Sequence, residues 1–218
     1  MICSTSTDQE LHMDNIKATV VHVIEDDKSF RLSIDGLLRS VGMQTRLYGS
    51  VTEFLSAPRP NAPGCLLLDV RLPGTSGLDL QAQLRALNIG LPVILMTGHA
   101  DVPMSVKGMK AGAIDFLTKP IRDQDLLDAI ATAVERDRER RDLEREVAAL
   151  RERYSQLSPR EKEVMLLVTS GKMNKQAAGE LHLSEITVKI HRGAAMRKMG
   201  ARTLTDLVRM VEALKLGA

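Results

Sequence analysis

Tryptophan is absent from the 218-residue sequence, and aromatic residues make up only 2% of it. A hydrophobic core must therefore be built from Leu, Val, Ile, Met and Ala. Cysteine is nearly absent too: Cys3 sits in a polar stretch and Cys65 in an apolar one. Two such residues make neither a disulfide framework nor a thiolate metal cluster, and they fit a reducing compartment. No apolar run approaches the ~18 residues that a membrane span requires. Residues 1–17 carry Asp8, Glu10 and Asp14 and lack the apolar stretch of a signal peptide, so they read as a disordered tail. These absences point to a soluble, cytoplasmic chain with no membrane partner.

An excess of charge of either sign is missing as well, because the net charge is only +2. The balance is local. Residues 1–121 hold 11 Lys and Arg against 12 Asp and Glu, and residues 122–157 hold 8 against 10. Residues 158–218 hold 11 against 6. A small basic end on an otherwise acidic chain calls for a polyanionic partner for that end alone.

The first half alternates strands and helices. The run Cys65–Asp69 is apolar until its final carboxylate, then Pro73, Gly74 and Gly77 break the chain. That is the mark of a strand buried on both faces of a parallel sheet. Comparable strands are expected at Thr19–Ile24, Met43–Tyr48, Pro92–Thr97 and Ala113–Leu117. Helices fall between them: one capped by Ser29 and closed by Gly42, a short one from Ser50, one near Leu78–Leu87, and one at Val102–Ala111 capped by Asp101. Strict alternation at this spacing predicts a five-stranded, parallel, doubly wound α/β sheet of flavodoxin-like form. From Arg122 the strands stop. With no Gly or Pro between Ile121 and Ser158, one unbroken helix of roughly thirty residues is expected as a semi-rigid spacer. Its seam at Leu143, Val147, Leu150, Tyr154 and Leu157 is either a short coiled coil or a stripe that docks on a neighbouring domain. Ser158-Pro159-Arg160-Glu161 then starts an all-α segment of four helices, at 159–170, 174–181, 184–199 and 203–214. The domains thus run 18–136, a helical linker 137–156, and 157–218.

Ligands bind such sheets where strands reach their carboxyl ends. Four strand ends deliver Glu25 and Asp26, Asp69, Thr97 and Lys119 to one rim. Three converging carboxylates repel and call for a cation, and oxygen ligands on an open rim suit Mg²⁺. A lysine and a hydroxyl beside them supply what a phosphoryl group needs, and Asp69 is the natural nucleophile. A Mg²⁺-dependent phosphohydrolase would need a second acid two residues later, where Arg71 stands.

These residues carry a resemblance. VIEDD, LLLDVRLPGTSG, MTGHAD and FLTKP make residues 18–136 similar to the receiver domain of a two-component response regulator. The resemblance implies phosphoryl transfer to Asp69 from a sensor histidine kinase. It implies a Mg²⁺ ion held by Glu25, Asp26, Asp69 and the backbone carbonyl of Arg71. Lys119 would bind the phosphoryl oxygen, Thr97 would swing toward it, and Phe116 would rotate inward as the switch. Arg71 and His99 stand at positions that tune phosphate lifetime, and Glu25 replaces a more usual Asp. Self-phosphorylation and its reversal would be the only chemistry; the chain is not otherwise an enzyme.

The terminal segment patterns as a helix–turn–helix, with Asn174 or Lys175 opening the first helix, His182 and Leu183 in the turn, and Ser184 capping the second. In that second helix Ile186, Ile190 and Met196–Met199 suit an inward face, although Ile190 is equally suited to meet DNA. The whole run from Leu157 to Met210 resembles the LuxR-type DNA-binding domain of NarL/FixJ response regulators. By that likeness Lys189, Ile190, Arg192 and Gly193 face the major groove of double-stranded DNA. Asn174, Lys175, Ser184, Thr187, Arg197 and Lys198 contact phosphates. Ala177, Gly179, His182 and Gly193 depart from the usual residues, and Gly193 brings no side chain where a base is often read. The function implied is a transcriptional regulator that dimerises when phosphorylated, through the Val102–Ala111 face, the linker helix, or both. The alternative is a regulator that uses the receiver only to dimerise, without phosphorylation.

Overall fold

The computed structural model describes residues 19–84, 86–98 and 102–216, except for the side chain of Thr75. The tail 1–17, His99 and the Asp101 cap lie outside the described residues. Two compact units divide at Arg141 and Asp142.

The first unit holds β1 (Val20–Ile24), α1 (Lys28–Ser40), β2 (Gln44–Tyr48), α2 (Val51–Ser56) and β3 (Gly64–Asp69). They are followed by the two-residue pieces β4 (Arg71–Leu72) and β5 (Thr75–Ser76), then α3 (Gly77–Gln83), β6 (Val93–Thr97), α4 (Val102–Lys110) and β7 (Asp115–Thr118). Five strands form one parallel sheet in the order β2-β1-β3-β6-β7, as the alternation predicted. Alternate residues of each strand feed the two faces. Leu66, Leu68 and Leu95 pack with Phe54, Leu78 and Leu80 on one face, while Leu67, Ile94 and Met96 pack with Ile34, Leu38 and Ile130 on the other.

Two local expectations change. The cap of α1 is Asp27, not Ser29: its carboxylate accepts from the Ser29 and Phe30 N–H groups, and these bonds hold its pKa down. The helix after β3 ends at Gln83 rather than near Leu87. The loop after β3 carries a two-residue antiparallel pair, β4 with β5, across Pro73 and Gly74.

Helix α5 is continuous from Asp123 to Ser155, 33 residues. Its Asp123–Arg141 part belongs to the first unit, where Asp137 is fully buried. The Asp137 carboxylate accepts from Arg140, Arg141 and the backbone N–H of Gly64, which ties the helix to the start of β3. Its remaining turns belong to the second unit, built from α6 (Pro159–Thr169), α7 (Asn174–Leu181), α8 (Glu185–Met199) and α9 (Leu204–Ala213). Leu150, Tyr154 and Leu157 pack on that unit's core, whereas Leu143 is 62% exposed. The lower part of the expected seam is thus spent inside its own chain. Ser158 and Glu161 form the expected capping box.

His22, in the middle of β1, is buried against Tyr48 and Phe54, with Nδ1 3.1 Å from the Tyr48 hydroxyl. Burial, reinforced by Arg46 and Arg59, lowers its pKa from 6.5 to about 4. The unfolded chain therefore binds a proton on His22 that the folded chain refuses, so its contribution is present above pH 6.5 and lost as pH falls toward 4. Chemical denaturation across this range should show roughly 3 kcal/mol of loss from this group, and His22→Gln should flatten that part of the profile. Equal slopes in the two proteins would contradict the assignment.

Candidate functional site

The carboxyl ends of β1, β3, β6 and β7 bring Glu25, Asp26, Asp69, Thr97 and Lys119 to the same edge. Gly77 permits this rim to close, since a Cβ there would lie 2.2 Å from the Asp69 carbonyl oxygen. Glu25, Asp69 and Thr97 are buried, and Asp26 is exposed. One oxygen from each of Glu25, Asp26 and Asp69 lies within 4.8 Å of the others. The Lys119 ammonium donates to Asp69 Oδ2 at 2.5 Å and to Glu25 Oε2 at 2.6 Å. Asp69 Oδ1 accepts from the Arg71 N–H at 2.8 Å. Burial would lower the Lys119 pKa, but its two carboxylate partners outweigh that and raise it. Burial raises the Glu25 pKa against the pull of Lys119.

Two residues outside the expected set complete the arrangement. The Phe30 ring lies under the Lys119 ammonium, 4.4 Å from centroid to nitrogen, a cation–π contact that holds the head over Asp69. The Arg31 guanidinium donates to the backbone carbonyls of Glu25 and Asp26 and so fixes the loop bearing both acids. Phe30 scans as an ordinary apolar position and Arg31 as a solvated one, so neither leaves a signal in the sequence. Along the loop that follows β3 opens a groove of about 550 Å³, with Asp26, Arg71, Pro73 and Met104 among its lining residues. Phe116 is half-buried against the core at β7.

Among the described residues no helix is long and apolar enough to cross a membrane. Residues 21–131 match the response regulator receiver domain, and residues 155–211 match the luxR family of bacterial regulatory proteins. The chain belongs to the response regulators of the NarL/FixJ type. Nodulation protein W of Bradyrhizobium diazoefficiens is 54% identical over 95% of this chain and 91% of its own. The response regulator protein TodT of Pseudomonas putida is 44% identical over 94% of this chain and 89% of its own. Among solved structures, the response regulator StyR superposes with a TM-score of 0.76 at 45% identity, over 89% of this chain and 98% of that one. Full-length FixJ from B. japonicum gives 0.54 at 36% identity, over 91% and 98%. A receiver joined to a LuxR-type domain makes this response regulator a DNA-binding regulator of transcription.

In its DNA-binding unit, His182 ends α7 in the left-handed region at φ 54°, the place where a glycine is usual. Ser184 caps α8 by accepting the Thr187 N–H. The inward face of α8 differs from the expected one. Val188, Ala195 and Met199 are fully buried and Met196 is partly so, but Ile186 and Ile190 are 74% and 63% exposed. At about 100° per residue, positions two before and two after Val188 point away from the face that Val188 occupies. Lys175, Lys189 and Arg197 are exposed. Arg192 donates to the Asn174 Oδ1, pinning α8 to the start of α7. Lys198 donates to Glu161 at 2.7 Å and to the Gln156 carbonyl, and this contact lowers the Glu161 pKa. A Cβ at Gly179 would meet nothing within 4 Å, so that departure carries the helix cost of glycine with no packing reason for it.

Three carboxylates, two of them buried, against one lysine suit a hard divalent cation with oxygen ligands. Mg²⁺ at ten times its Kd should stabilise the first unit by about 1.4 kcal/mol, read as a rise in thermal midpoint. Asp26→Asn should reduce that rise, and an undiminished response in the variant would exclude Asp26 as a ligand.

Proposed function

We propose that the regulator is switched by phosphorylation of Asp69. The observation that carries this is the Lys119 ammonium, 2.5 Å from the Asp69 carboxylate at the head of a crowded acidic rim. The donor is the phosphohistidine of a sensor kinase. As an Asp69 carboxylate oxygen bonds to phosphorus, the phosphorus–nitrogen bond breaks and the imidazole leaves. The product is an acyl phosphate. The Arg71 N–H orients the carboxylate. Glu25, Asp26, Asp69 and the Arg71 carbonyl are the residues assigned to Mg²⁺, which supplies the positive charge that a dianionic phosphoryl group requires next to carboxylates. Lys119 then neutralises phosphoryl oxygens.

Thr97, buried at the end of β6, is assigned the hydroxyl that follows the phosphoryl group, and Phe116 the ring that moves with it. Thr97 pairs with Thr118 of β7, and Phe116, itself on β7, lies beside Gly108 of α4. That face exposes Val102, Val106 and Met109 at 77%, 45% and 46%. It is the surface assigned to pairing with a second copy, which would bring two DNA-binding units to half-sites about 10 bp apart. Residues 18–136 then serve as receiver, 137–156 as linker and 157–218 as the DNA-binding domain. In the last, Lys189, Ile190, Arg192 and Gly193 are assigned to the groove. Asn174, Lys175, Ser184, Thr187, Arg197 and Lys198 are assigned to the backbone. A kinase donor and chromosomal DNA are cytoplasmic partners, so the chain is assigned to that compartment.

With a phosphodonor and Mg²⁺ present, wild-type protein should bind a selected DNA duplex at least tenfold more tightly than without them, as gel-shift titration would read. Asp69→Asn should bind alike in both conditions. A variant that responds as wild type does would put the switch elsewhere.

A further inference from the structure

The recognition helix carries an apolar pair that nothing in its own fold uses. Ile186 and Ile190 are 74% and 63% exposed, one helical turn apart. Isoleucine is a poor choice for an exposed helix surface: it gains nothing from burial there and loses side-chain freedom against the preceding turn. The surroundings are polar and mostly basic. Lys189 lies between the two, and Arg197 follows one turn beyond Gly193, all exposed except the half-buried glycine. Gly193 leaves a gap, and a Cβ there would come 3.5 Å from the Arg197 guanidinium. The helix face thus reads apolar, basic, apolar, gap, basic. A complementary surface has small apolar groups set between rows of negative charge. The major groove of DNA offers that combination in the 5-methyl groups of thymine flanked by phosphates.

We propose that Ile186 and Ile190 select thymine by contact with its 5-methyl group, so that the apolar pair carries sequence readout while Lys189 and Arg197 supply charge. This rests on the DNA-binding reading and deepens it. One helical turn sets the two side chains about 6 Å apart along the helix. Base pairs are spaced by about 3.4 Å. The two methyl contacts therefore fall on positions no more than about two base-pair steps apart, on either strand.

The test uses the full chain and a duplex enriched by it from a random-sequence pool. Each thymine of the enriched duplex is replaced in turn by deoxyuridine, which removes only the methyl group. Wild-type protein should lose roughly fourfold in affinity at each of two neighbouring positions and nothing elsewhere. Ile186→Ala and Ile190→Ala should each become indifferent to uracil at one of those positions and keep the response at the other. Ile186→Val should retain the response at its position. Uracil without effect at every thymine overturns the assignment and leaves DNA binding intact. Alanine variants that still lose roughly fourfold at both of the positions where wild type does also overturn it, because the methyl groups would then be read by other residues. Failure to enrich any duplex would remove both this assignment and the DNA-binding reading beneath it.

Discussion

Two buried carboxylates, Glu25 and Asp69, share the Lys119 ammonium, and the exposed Asp26 brings a third carboxylate oxygen within 4.8 Å of theirs. Like charges held this close repel one another. Lys119 offsets part of this through paired contacts to Glu25 and Asp69, and the fold supplies the rest as fixed donors. The Arg71 and Asp27 N–H groups each point at a carboxylate. What remains is an excess of negative charge on a rigid rim. Such a site favours a divalent cation and rewards whatever redistributes its lysine.

The parallel sheet makes this crowding durable. The Glu25–Asp27 turn, Asp69, Thr97 and Lys119 belong to adjacent strands in the order β1, β3, β6, β7, so their separation follows from strand spacing rather than from loops. The ties run deeper than the rim. Asp69 is the last residue of a strand whose first residue, Gly64, is bonded to the buried Asp137 of α5. One strand thus spans from the acidic edge to the long helix, and α5 continues unbroken into the second unit.

Much of this was legible in the residues themselves. The apolar runs Cys65–Leu68 and Val93–Met96, ending in Asp69 and Thr97, announced buried strands, because a strand covered on both faces tolerates four consecutive apolar side chains. The Ser158-Pro159-Arg160-Glu161 start was legible because its chemistry is local. Less so were features set by three-dimensional company. Asp27 displaced Ser29 as a cap by lying one residue before the helix, a boundary that periodicity does not resolve. Phe30 under Lys119 and Arg31 against the β1 carbonyls depend on neighbours distant in sequence or on a turn geometry that spacing does not encode. Ile186 and Ile190 misled because isoleucine is usually core. Here Val188 between them takes the inward face, and the apolar pair is left for a partner.

Intact-protein mass spectrometry with acetyl phosphate reads whether this rim accepts a phosphoryl group on Asp69. A gain of one phosphoryl group is expected only when Mg²⁺ is present, mapped to the peptide containing Asp69 and lost on treatment with hydroxylamine. No gain, a gain indifferent to Mg²⁺, or a phosphoryl group mapped to any other residue would contradict it.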